Sequence, residues 1–217
     1  MKINHHPAAD SLMSCSAGSM PEAFAAVMAS HISVCETCRR DLALMEMIGV
    51  ALFDELSPAH LERPAPIMEL RRREADGAPE PVRSTAVSGG DVPEPLVPLI
   101  GQYLDDIAWT RVAPGVSIHN IALSPTAKGD LRLIKVAPGK TLALHGHKGS
   151  ELTLVLRGSC RDDFGHYRVG DVSDFGEDVD HQPMADAVEG CICLVATRHK
   201  LRFKSILARL IQPVTGM

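Results

Sequence analysis

The spacing of apolar residues divides the chain in two. Leu12 and Met13 predict a first short helix opening at Asp10 or Ser11. Ser19-Met20-Pro21-Glu22 reads as a second start, with Ser19 as N-cap, Pro21 in the first turn and Glu22 closing a capping box. Phe24, Val27, Met28 and His31 follow at helical spacing. A break falls near Ser33-Val34. From Cys38 to about Leu56 a longer helix carries Leu42, Met45, Ile48, Leu52 and Leu56 as an apolar stripe. Later the period becomes two. Asp130–Val136, Glu151–Arg157, Asp171–Phe175 and Cys191–Ala196 predict strands, with turns at Pro138-Gly139 and Arg157-Gly158. Short strands with glycine turns and no helical pattern predict a closed antiparallel barrel or sandwich. Between the halves, Pro58, Pro64, Pro66, Pro79, Pro81, Pro93 and Pro95 with Gly89-Gly90 predict a linker. Within that stretch Ile67-Met68-Glu69-Leu70 has room for one helical turn. The expected architecture is α + β multidomain: a helical bundle at 1–75, a linker at 76–95 and a β-barrel at 96–217.

Chemistry gathers at two places. In His31-Ile-Ser-Val-Cys35-Glu-Thr-Cys38, spacings of four and three bring an imidazole and two thiols to one helix face. Those groups supply three of the four ligands of a tetrahedral zinc site. A fourth must come from elsewhere. His5 and His6 are both open on spacing, and His6 is preferred. Helices with so few large core residues are marginal alone, and a zinc ion would add folding energy. The second place is the strand region, where Gly139, His145, His147, Glu151 and Gly158 form a regular spacing. On one strand His145 and His147 share a face. Glu151 reaches back across the turn, and His181 follows later. Three imidazoles and a carboxylate suit Zn, Mn, Fe or Ni.

Six cysteines without an apolar leader do not read as a disulfide framework. No run is long enough to span a bilayer, so a cytoplasmic protein is expected. The net charge of −5 is uneven, with seven Lys/Arg against twelve Asp/Glu through residue 80 and a neutral remainder. An acidic front argues against direct nucleic-acid binding and for a basic protein partner. Cys191 and Cys193 share a strand face and are candidate oxidation sites. Cys15 and Cys160 carry no spacing signal and read as bystanders. His119, His166 and His199 lack ligand spacing, and His60 lies at the linker entry.

Residues 139–158 match the first cupin motif at each defining position. Gly170 and His181 match the second, while Gly176, Asp178 and Ala185 depart from it. A His-x3-Cys-x2-Cys module ahead of a cupin resembles the ChrR family of zinc-binding anti-sigma factors, over nearly the whole chain. The resemblance implies a zinc-bound helical bundle followed by a cupin-type jelly roll. It implies an extracytoplasmic-function sigma factor as partner, for which a one-to-one complex is the natural expectation. It also implies release under oxidants such as singlet oxygen or organic hydroperoxide. Carried over, one zinc falls to His6, His31, Cys35 and Cys38, and a second to His145, His147, Glu151 and His181. The alternative is a metal-dependent cupin enzyme of dioxygenase or isomerase type with an accessory zinc module. Its acid or base would come from Tyr103, Tyr167, Asp162 or Asp163. Partner contacts are expected on the 20–28 and 42–56 helices.

Overall fold

A computed structural model describes residues 2–59, 89–146 and 149–198, with the backbone of 202–203. The turn expected at 67–70, and His60, His147 and His199, lie outside the described residues.

The chain opens with α1 (Ala9–Ser16), α2 (Glu22–Val34) and α3 (Glu36–Asp54). Their starts differ from the sequence reading. Ala8 precedes α1 with no side-chain cap, and Asp10 sits in the first turn. Pro21 precedes α2, so the Ser19 capping box does not form, and the Ser19 hydroxyl donates to Ser14 O instead. Glu22 is turned outward to accept from Ser124 N at 2.9 Å and from its hydroxyl, which fastens α2 to a barrel loop. The third helix begins two residues earlier than expected because Cys35 caps it, accepting from Cys38 N.

After residue 89 come two 3₁₀ turns and a short helix α4 (Val97–Ile100), then β1 (Thr110–Ala113), β2 (Val116–Ile121) and β3 (Asp130–Val136). Next are β4 (His145–Gly146), β5 (Glu151–Arg161), β6 (His166–Arg168) and β7 (Val172–Phe175). The described chain ends with β8 (Asp180–His181), β9 (Met184–Ala185), β10 (Cys191–Thr197) and β11 (Arg202–Phe203). One sheet runs β1-β2-β3-β10-β5-β6, with β7 and β9 also on β5, and a smaller sheet runs β11-β4-β8. All pairings are antiparallel.

The turn expected at Arg157-Gly158 is absent, because β5 continues to Arg161. Gly158 has φ +69°, and a Cβ there would collide with the Gly190 carbonyl. Opposite it the β5–β10 register slips between Ile192 and Cys193. The irregularity lets one strand serve two parts of the barrel.

Two apolar clusters sit on the two faces of the large sheet. On β10, Cys191, Cys193 and Val195 face the barrel interior with Val116, Ile134, Val155 and Phe175. Ile192, Leu194 and Ala196 face outward into a cluster with Phe24, Val27 and Met28 of α2. A strand covered on both faces reads as an unbroken apolar run, which is why residues 191–196 lack alternation. Val92, inside the expected linker, and Leu96, just after it, are buried in the outer cluster, while Gly89, Gly90, Asp91 and Glu94 stay exposed.

Candidate metal centres

Four donors meet where α2 gives way to α3. Cys35 ends one helix and caps the next, and Cys38 lies one turn inside α3. His31 enters from the last turn of α2. His6 comes from the extended segment before α1. Its Nδ1 lies 3.4 Å from Cys35 Sγ and 3.3 Å from Cys38 Sγ. His31 Nε2 lies 3.3 Å from Cys38 Sγ, and its Nδ1 donates to Gly170 O at 2.9 Å. A tetrahedral zinc with ordinary Zn–S and Zn–N bonds separates sulfur and nitrogen by about 3.5 Å, so the donor set fits that ion. His31, Cys35 and Cys38 are buried and His6 is exposed. Burial lowers the His31 pKa, keeping the ring neutral as a ligand must be. Burial, helped by the Cys35 charge, pushes the Cys38 thiol up to about 12. A metal ion bound there would displace protons and be held more weakly in acid. His5, the other candidate, turns away. Its Nδ1 is 3.4 Å from Asp171 and its ring leans on Tyr167.

The second cluster lies where the small sheet meets the large one. His145 on β4 and His181 on β8 are directly opposite in register. Their ring centroids are 4.5 Å apart. Glu151 opens β5, and its Oε1 is 3.6 Å from His181 Nε2. All three side chains are buried, with one donor atom from each lying within 4.8 Å of the others. His145 Nδ1 donates to Ala143 O at 2.7 Å, which leaves Nε2 as the donor to a metal. His181 Nδ1 is held by Asp162 Oδ2 at 3.0 Å. A carboxylate behind an imidazole fixes its tautomer and strengthens it as a ligand. Burial opposes the charged His181 ring, but Asp162 and Glu151 outweigh burial and raise its pKa to about 9. Two imidazoles and a carboxylate, buried together, could hold a divalent metal ion.

The sequence reading held Asp162 only as a generic acid. Its signal is local: Oδ1 accepts from Phe164 N and Gly165 N, an Asx turn written as Asp-Asp-Phe-Gly. The reading also missed Cys160, whose Sγ joins those of Cys191 and Cys193. Tyr103 is exposed, and Tyr167 is buried with its pKa raised to about 12 by that burial.

A jelly-roll barrel with a buried His/Glu cluster, preceded by a His₂Cys₂ cluster at the helical end of the chain, defines a cupin-fold protein with two candidate metal centres. Residues 100–201 match the ChrR cupin-like domain family. The anti-sigma-E factor ChrR of Cereibacter sphaeroides is 35% identical over 216 residues, covering 98% of this chain and 98% of that protein. The crystal structure of Rhodobacter sphaeroides SigE in complex with the anti-sigma ChrR superposes with a TM-score of 0.75 at 30% identity, covering 90% of this chain and all of that one. The chain belongs to the ChrR family of anti-sigma factors. It is placed with regulators rather than with the enzymes of the cupin fold. Among the described residues, no helix is long and apolar enough to cross a membrane.

Proposed function

We propose that this protein is an anti-sigma factor that binds an extracytoplasmic-function sigma factor one-to-one through its helical part at 1–75 and keeps it from RNA polymerase. The observation carrying this reading is the outer half of α3. From residue 46 to 59 every side chain is exposed, yet Met47, Ile48, Val50, Leu52, Phe53 and Leu56 are apolar. Met47 is 69% and Phe53 72% accessible, far beyond what a lone surface apolar residue implies. The 20–28 helix, also offered from sequence as a contact surface, has its apolar residues in the core instead. Contact therefore falls to α3, and the acidic front complements a basic partner.

Zinc is the ion proposed for His6, His31, Cys35 and Cys38, where it supplies a structural cross-link. Cys35 and Cys38 form the root of α3, so the ligand set fixes the direction in which the apolar half projects. A second ion, zinc with Mn, Fe and Ni as chemical alternatives, is proposed for His145, His147, Glu151 and His181. Release under singlet oxygen or organic hydroperoxide is assigned to this barrel site. Support comes from the Gly170-Asp171 turn, which leads into β7 and touches both His31 and the segment carrying His6.

The test is co-expression of the full chain with candidate extracytoplasmic-function sigma factors. The expected result is a one-to-one complex and silenced sigma-dependent transcription. Holo-protein that neither co-purifies with such a sigma factor nor reduces its transcription overturns the reading. For release, the wild-type complex dissociates on hydroperoxide treatment and the Glu151→Ala complex does not. Equal dissociation of both refutes the role given to the barrel site.

A further inference from the structure

Three sulfur atoms converge in the barrel, apart from both clusters above. Cys191 and Cys193 lie two residues apart on β10, on one face, with their Sγ atoms 3.3 Å apart. Past the Gly158 irregularity β5 leaves β10, and Cys160 pairs with Tyr167 and Ala185 instead. That path brings a third Sγ within 4.8 Å of the other two. Their surroundings are apolar, among them Val136, Tyr167 and Ala185.

We propose that Cys160, Cys191 and Cys193 form a third metal site, which takes a divalent thiophilic cation of the zinc and cadmium class through three thiolates. An ion with metal–sulfur bonds of about 2.3 Å needs sulfurs about 3.8–4.0 Å apart, a spacing reached here by small side-chain rotations. Soft thiolates select soft ions over the hard cations that carboxylates prefer. A disulfide between Cys191 and Cys193 is disfavoured. Residues two apart on a strand have Cα atoms about 6.6 Å apart, at the upper limit of disulfide geometry. On binding, the thiol protons leave to solvent as the three sulfurs become thiolate ligands.

The test uses full-length protein with zinc loaded at the other centres and Cd²⁺ as probe. Native mass spectrometry counts ions, near-ultraviolet absorption reads sulfur-to-cadmium charge transfer, and alkylation with mass mapping reads thiol protection. Wild type is expected to bind one cation more than Cys160→Ser. Alkylation of Cys191 and Cys193 in unfolding-limited conditions should slow at least tenfold with Cd²⁺ in wild type only. Cys160 is half-buried near a strand end, so its serine variant should fold, and Cys160→Ala provides a second variant. Cys15→Ser, outside the cluster, should retain the extra cation. Equal cation counts in wild type and both Cys160 variants overturn the proposal. So does a Cys160–Cys191 or Cys160–Cys193 disulfide in protein isolated without air.

Discussion

His31 donates from Nδ1 to the backbone oxygen of Gly170 at 2.9 Å while its Nε2 faces Cys38 Sγ at 3.3 Å. One imidazole thus joins the helical donor cluster to the turn before β7. The next residue, Asp171, holds the other end of that cluster. One of its oxygens accepts from Asn4 N at 2.7 Å and His5 N at 3.0 Å, and the other from Arg168 N at 2.8 Å. Val172 N donates in turn to His5 O. The two histidine donors, from segments far apart in sequence, are therefore anchored to one barrel turn.

Replacing Asp171 by alanine leaves those backbone donors without their acceptor. Stability should fall by about 2–4 kcal/mol, measured by urea denaturation at neutral pH. Burial pushes this carboxyl up, but the backbone N–H groups outweigh it and the pKa is lowered. Its contribution is therefore complete above the ordinary carboxylate value of about 3.9 and fades as pH falls through the lower folded value. The gap between wild type and Asp171→Asn should shrink correspondingly in acid.

Cys35→Ser/Cys38→Ser should bind one zinc fewer per chain by elemental analysis. Because the two cysteines root α3, affinity for the sigma factor should fall at least tenfold. Amide exchange in β3, β5 and β10 should stay near wild type, since the barrel interior packs without this cluster. Binding unchanged in the double variant would contradict the assigned role.

On α3, Met47→Asp and Phe53→Asp should each weaken the sigma complex by about 2 kcal/mol or more, roughly thirtyfold, as central apolar contacts do. Thermal stability of the free protein should hardly move, because exposed substitutions usually fall within about 0.5 kcal/mol. Met28→Ala on α2 should do the reverse in the free protein, costing about 2–5 kcal/mol at a fully buried position. Calorimetry and denaturation on the same variants separate the two surfaces.

Asp162→Asn keeps an oxygen for the Phe164 and Gly165 amides but withdraws the charge behind His181. Affinity of the barrel site for zinc should drop about 10–100-fold, read by competition with a chromophoric chelator. An unchanged affinity would mean that Asp162 serves its turn alone.

Much of the site could be read in the chain itself. His31, Cys35 and Cys38 lie within one helical junction, and the spacing of three and four along a helix brings them together. Strand alternation likewise announced β3 and most of β5, since local pattern decides which faces are buried. Asp162 was obscured because a turn-forming aspartate looks the same with or without a histidine behind it. Cys160 was missed because its proximity to β10 depends on a register slip at Gly158.

By itself, the amino-acid order determined the helical and strand periods, the two ligand spacings and the acidic front, because each follows from backbone repeats or simple counting. Tertiary structure decided that His6 rather than His5 faces the two sulfurs, since a barrel carboxylate claims the His5 amide. It also decided that the apolar side of α2 is core while the outer half of α3 is exposed. Both helices carry apolar residues, and only the position of the sheet beneath them determines which are covered.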